Sequence, residues 1–327
     1  MATALIPLEK LQFGIETTPG TLVAADTVYL AENGGGWTPE IDRQPVDETR
    51  GVLAMVEDVD VRKGSMLSVA GVLDFEQILL ALQTGLDTAS PSGSGPYTWE
   101  WLPALTAPEA LAAATFEVAY RDGASKHIEK EFGFGTCSKF AISTAFNQPA
   151  KLTADFFARA PQSSTFTAGQ SALSREVIPS NKFGLWIDGT WANLGTTQKS
   201  GLLRSSNLEV VTGAEPDYTH DARADLDFSQ LMRGLITGRL NVTCSVNGDF
   251  ATEYAAWESG ALRFMRLKAL GSGSRSFIAD VAGRYTAPPR FGNQGRLRTA
   301  ELQLEFRQDP TSGNIIRFEV INSMSAL

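Results

Sequence analysis

Only two histidines occur in this chain, and both sit among charged side chains. His220 lies in DYTHDARADLD with Asp217, Asp221, Asp225 and Asp227 around it, residue types that a bound metal or a carboxylate–histidine hydrolytic pair would use. The spacing is not that of a calcium loop, because the required glycine and closing glutamate are absent. A solvated acidic loop accounts for it better. His127, in RDGASKHIEKEF beside Lys126, Glu129, Lys130 and Glu131, reads as an exposed polar strand or turn. Glycine runs at 93–95, 133–135 and 271–273 lack both the Lys-Ser/Thr ending of a P-loop and the strand-GxGxxG-helix setting of a dinucleotide site, and read as hairpin turns. No G-x-S-x-G elbow, H-E-x-x-H or paired C-x-x-C is present. No catalytic, cofactor-binding or metal-ligating residue is therefore assigned. The expectation is a protein that is not an enzyme and needs no cofactor.

Three other residue sets carry weaker signals. Cys137 follows the FGFG run and Cys244 lies in an alternating stretch, which favours two free thiols over a single disulfide. Arg284, Arg290, Arg296, Arg298 and Arg307 make a basic stretch in an acidic chain, either a scattered solvated surface or a partner-facing patch. Trp99, Trp101, Trp186, Trp191 and Trp257 read as core or interface filler rather than sugar platforms.

The net charge of −9 and pI of about 4.9 give no counterion-release drive toward phosphate, so sequence-reading DNA binding is not expected. With 43% hydrophobic and 20% charged residues the chain has a folded, soluble composition, and its 327 residues suffice for two domains. No apolar run reaches the ~18 residues of a spanning helix, so no membrane partner is expected. Met1-Ala2-Thr3 does not begin a signal peptide, and the expected place of synthesis is the cytosol.

The elements that would position these residues occur twice. Residues 65–85, SMLSVAGVLDFEQILLALQTG, alternate apolar with small or polar residues to Asp74-Phe75, then take a helical rhythm that closes at Gly85. Residues 240–260, LNVTCSVNGDFATEYAAWESG, repeat this through Asp249-Phe250 to Gly260, and both landmarks are 175 residues apart. The first copy predicts a strand at 66–73 and a helix at 74–83, with Phe75, Ile78, Leu79 and Leu82 on one buried face. Phe183-Gly184-Leu185 echoes Phe13-Gly14-Ile15, and the alternating strand 297–308 matches 152–159. Further strands are expected at 11–15, 28–31, 97–102, 115–120, 127–134, 139–146, 206–211, 264–270, 276–281 and 314–322. Acidic stretches at 44–60 and 213–229 precede the two copies and read as mobile loops with few apolar anchors.

Residues 1–160 thus form a first β domain, 161–181 a Ser/Thr/Gln/Pro-rich linker and 182–327 a second β domain. The fold class is mainly β: two tandem β-sandwich domains, each with one short helix.

With these residues in view, the chain resembles the phage tail tube proteins, or major tail proteins, of long non-contractile tails. The opening FGIETTPGTLVAADTVYL at 13–30 is similar to the Gly-x-Glu-Thr-x-x-Gly-Thr-x-x-x-Ala start of that family at Gly14, Glu16, Thr17, Gly20, Thr21 and Ala24. The doubled strand-helix cassette and the closing ELQLEFRQDPTSGNIIRFEVIN at 301–322 also resemble it. A departure is length, since many members have a single tube domain. The resemblance implies a structural virion protein of a siphophage tail, self-assembling into stacked rings whose inner strands join one ring-wide β-barrel. The tube serves DNA ejection, with DNA passing through the lumen without specific binding. With two domains per chain, three chains would make a pseudo-hexameric ring, a hexamer of chains being the other count. The family's partners are a tape measure protein and a tail terminator. A tail terminator, capsid decoration or fibre domain is the alternative identity, and a carbohydrate-binding protein the more distant one. The acidic balance of the chain leads to the expectation of an acidic bore.

Overall fold

The computed structural model describes residues 8–32, 35–48, 51, 54, 57–106, 110–121 and 126–327. Strands Lys10–Ile15 (β1) and Thr27–Tyr29 (β2) are followed by Gly36–Val46 (β3), Glu57–Val72 (β4), helix Ile78–Gly85 (α1) and Tyr97–Trp101 (β5). Ala114–Arg121 (β6), Lys126–Ala145 (β7), Lys151–Ala158 (β8) and the short Gln162–Ser163 (β9) come next. Then come Phe183–Asp188 (β10), Leu203–Val211 (β11), Ala214–Asp217 (β12), Gln230–Arg233 (β13), Thr237–Ser245 (β14) and helix Gly248–Ser259 (α2). Arg263–Leu270 (β15), Ser276–Tyr285 (β16), Arg290–Gln294 (β17), Leu297–Phe306 (β18) and Ile316–Asn322 (β19) complete the order. The chain is mainly β, with two α-helices among the described residues.

Antiparallel pairing makes a central sheet in the order β3-β4-β8-β7-β11-β14-β18-β17. A first cover sheet, β2-β1-β6-β7-β9, and a second, β10-β15-β16-β19-β5, bury its apolar face. Phe116 packs edge-on to Phe156 at 5.2 Å, joining the first cover to the central sheet, and Phe140 meets Phe318 at 5.6 Å, joining the second. The separate strands expected at 127–134 and 139–146 are one bent strand, β7, whose first part pairs with β6 and whose second part pairs with β8. The bend falls at Gly135, where a Cβ would lie 2.4 Å from the Phe116 ring and 2.7 Å from the Ala114 carbonyl oxygen. Strand β16 changes partners in the same way, from β19 to β18, at Gly283. There a Cβ would lie 2.2 Å from the Glu305 carbonyl oxygen. Close backbone approach, rather than turn geometry, requires glycine at both corners.

The pairing order β1-β6-β7-β8-β4-β3 recurs in the second half as β10-β15-β16-β18-β14-β11. The register recurs as well. Val69 faces Ala154 and Leu67 faces Phe156; residues 175 further along the first strand and 146 along the second, Cys244 faces Ala300 and Val242 faces Leu302. The 146-residue offset is that of the matching triplets Thr153-Ala154-Asp155 and Thr299-Ala300-Glu301.

The halves share hydrogen-bonded strands, β7 with β11 and β5 with β19. Within the single chain the central sheet does not close on itself, and its outer strands are β3 and β17. Pro39 and Pro45 fit β3 because a proline lacks the N–H that a strand paired on both sides would use. The segment 161–181, expected as a linker, lies along the first half. Thr167 donates its N–H and hydroxyl to Glu117, Ile178 donates to the Leu73 carbonyl, and Phe166 and Ile178 are buried. Two apolar anchors and a few backbone bonds hold a segment whose composition reads as a tether.

Helix α1 starts at Ile78, later than expected. The buried Asp74 carboxylate accepts the N–H groups of Glu76 and Gln77 at 3.0 and 2.6 Å and holds 74–77 as a turn. Capping before the first helical turn is the usual role of aspartate. All eight residues of α1 are buried, not one face alone: Ile78 to Leu82 are apolar all round, and the buried Gln83 and Thr84 are hydrogen-bonded to Ala89, Trp101 and the Leu80 carbonyl.

Candidate functional surface

Strand alternation sends every second residue of the central sheet away from the core. On the core side one row runs Leu152, Ile142, Leu208, Leu240 and Leu304 across five strands. On the opposite side the rows are polar and small. One reads Ala70, Thr153, Ala141, Glu209, Arg239 and Glu305; its neighbour reads Lys151, Ser143, Asn207, Asn241 and Gln303. These rows cross from the first half into the second without a break, because β7 and β11 pair over Lys139–Ala145 and Ser205–Val211.

One carboxylate on this face is paired twice at the junction of the halves. Lys139 Nζ lies 2.6 Å from Glu209, and Arg239 reaches the other oxygen of the same carboxylate at 2.8 Å. The hydrogen bond from Lys139, and then that from Arg239, hold Glu209 below the ordinary glutamate range. Ser68 donates to Asp155 at 2.7 Å. On β7, β8, β11, β14 and β18, counting Lys139, Lys151 and Arg239 against Asp155, Glu209, Glu301 and Glu305, this face is balanced to within one charge. A near-neutral surface of Ser, Thr, Asn and Ala offers neither a phosphate-binding field nor an apolar patch for adhesion.

The opening segment has a structural logic of its own. Glu16 is buried and accepts the N–H groups of Gly20 and Phe134 and the Thr115 hydroxyl, at 2.5, 2.7 and 3.0 Å. Burial pushes its carboxyl up, opposed by these hydrogen bonds and by Arg159. Gly14 approaches the Ala24 carbonyl oxygen, 2.7 Å from where a Cβ would stand, and Gly20 takes φ +85° in the turn. Gly14, Glu16 and Gly20 therefore form one lock on the start of the first cover sheet.

The acidic stretch 213–229 is anchored rather than loose. Strands β12 and β13 pair across it, and Phe228 is buried against Phe134, Phe157 and Tyr218. Arg159 at the end of β8 donates to the carbonyls of Phe228, Gly20 and Ser229, at 3.0, 3.1 and 3.0 Å, with its guanidinium 4.6 Å from the Phe134 ring. This clamp between the halves has no signal in the sequence beyond an arginine closing an apolar strand. His220, Asp221 and Asp225 are exposed, while Asp227 is buried and paired with Arg223 at 2.5 Å. No cluster of three or more metal-binding side chains occurs among the described residues. His127 is exposed on β7. The 44–60 stretch forms arms that pair from Val46 with Glu57 inward; positions 49–50, 52–53 and 55–56 of its expected mobile part lie outside the described residues.

Cys137 and Cys244 are free and buried, and burial pushes the Cys244 thiol up to about 12 and the Cys137 thiol higher. Trp99 and Trp101 stack at 6.0 Å in the core, whereas the five basic-stretch arginines are all exposed. No helix is long and apolar enough to cross a membrane among the described residues. No protein-family model matches the chain, and no curated protein matches it.

Proposed function

We propose that this chain is a tail tube subunit of a long-tailed phage, a structural protein whose rings stack into a conduit for DNA. The observation that carries the reading is the polar face that runs unbroken through both halves of the central sheet, with Glu209 ion-paired across their junction. Residues 1–160 and 182–327 are two tandem tube-type β domains joined by 161–181, as the repeated pairing order supports. Three chains supply six such domains to a pseudo-hexameric ring, and the open edges of the central sheet meet those of neighbours to form a ring-wide barrel. Strands β4 and β14 line its bore. Passive conduction follows from paired charges and small polar side chains rather than from strong negative potential. The tape measure protein and the tail terminator are its partners by resemblance, and its place is the virion tail after synthesis in the host cytoplasm.

Negative-stain microscopy of the concentrated protein tests this. Rings or tubes of uniform bore with threefold, nearly sixfold, symmetry are expected, with no binding of duplex DNA to the free subunit at ~150 mM salt. A protein that stays monomeric overturns the tube, and rings of six whole chains overturn the trimer.

A further inference from the structure

Helix α1 is sealed by the second half of its own chain. Thr212 stands over Gly85, Arg233 donates to the Leu86 carbonyl at 2.7 Å, Arg275 pairs with Glu76 at 3.3 Å, and Asn322 donates to the Phe75 carbonyl at 2.7 Å. Helix α2 occupies the corresponding slot of the second half, after β14 as α1 follows β4, and the first half does not cover it. The outward side of α2 carries Ala251, Thr252, Ala255, Glu258 and Ser259, all exposed, and an aromatic seam on its other side ties the helix to its own half. Phe250 lies 6.3 Å from Tyr254 and 5.8 Å from Phe291, Tyr254 lies 5.3 Å from Trp257, and Phe291 is 49% exposed.

We propose that the first half of a second copy docks on the outer face of α2 as the second half docks on α1, so that the contact inside one chain is the template for the contact between chains. This deepens the assembly reading and rests on the internal repeat invoked there. The pairing register supplies the expected neighbours. Val211 faces Thr237, and Asp42 faces Arg62, 175 residues before Thr237; Asp42 therefore corresponds to Val211 and Arg43 to Thr212. The contact of Thr212 with Gly85 becomes one of Arg43 in the second copy with Gly260, at the end of α2. A cation placed at a helix C-terminus is electrostatically favoured. Repetition of one interface by successive copies gives a heterologous contact, which closes into a ring when the rotation permits.

Disulfide trapping between separately prepared Arg43→Cys and Ser259→Cys chains tests the geometry, since both positions are exposed and the native thiols are buried. A mixed-chain disulfide is expected; its absence overturns the docking. Independently, Ala255→Arg, at an exposed position on the outward side of α2, should weaken assembly at least tenfold in sedimentation while leaving the Tm of the dissociated chain nearly unchanged. Wild-type assembly by that variant also overturns the proposal. A trapped disulfide in particles that are not hollow tubes sinks the tube reading and leaves this interface standing. Tubes that form without the disulfide and ignore Ala255→Arg do the reverse.

Discussion

Helices α1 and α2 stand in the same slot of a repeated pattern and live in opposite surroundings. Every residue of α1 is buried, while α2 buries only Phe250, Glu253 and Ala256. Positions 175 apart show how the slot was filled. Ile78 is wholly buried among apolar side chains; its counterpart Glu253 is equally buried but carries a charge. That charge is met by Arg263 at 2.8 and 2.5 Å and by the Tyr285 hydroxyl at 2.8 Å. Burial first, and the Glu253 charge second, push the Tyr285 phenol well up. One backbone arrangement thus accepts either an aliphatic side chain or a fully partnered carboxylate, and partnering is what makes the second tolerable. The closing glycines differ as well. Gly260 ends α2 with φ +65° and open space around it, whereas Gly85 needs room, a Cβ there lying 2.8 Å from Thr212 and 3.0 Å from the Cys137 oxygen.

The comparison breaks first at its buried centre. Glu253→Ala leaves Arg263 and Tyr285 without their acceptor and should cost about 3–5 kcal/mol, against about 2–5 for Ile78→Ala, by urea denaturation. Replacing the whole group together, Glu253→Leu with Arg263→Met and Tyr285→Phe, should recover most of that loss; no recovery would mean that the slot differs in packing rather than in partnering.

A smaller effect separates the glycines. Gly85→Ala should cost about 1–3 kcal/mol by crowding and Gly85→Asn more, because asparagine is larger. Gly260→Ala should cost about 1–2 kcal/mol through its left-handed backbone, and Gly260→Asn less, since asparagine tolerates that conformation. Opposite Ala/Asn rankings at the two sites are the readout, and identical rankings would show that the two glycines serve one purpose.

The finest distinction is between the paired charges of the central sheet and the helices. Glu209 is held below the ordinary value near 4.5, so the stability it adds is present above that pH and is lost as pH falls through its lower folded value. The Tm difference between wild type and Glu209→Gln should therefore be largest near neutral pH and shrink on acidification below about 4.5. A difference that grows in acid would contradict the ion-paired face.

Much of the architecture was legible because period-2 alternation and turn residues are local. The repeat at 175 residues, the β class, most strands and the free thiols followed from pattern alone. The start of α1 was not legible, because an aspartate before an apolar run reads as the cap of a helix that begins beside it, whereas Asp74 holds 74–77 as a turn and is itself fixed by Arg175, 101 residues away. Anchoring of 161–181 by Ile178, and of 213–229 by Phe228 and Arg159, was hidden for the same reason: a single long-range contact outweighs a polar composition.

Sequence by itself determined which residues alternate, where the chain repeats, and that no recognised catalytic motif is present. Tertiary structure decided which copy of the repeat is covered. Coverage depends on which neighbour packs against each helix in space: the first half has the second to seal α1, and α2 has solvent on that side. It also decided that an acidic chain presents a balanced face, since net charge counts residues while a face selects every second one and pairs it across strands.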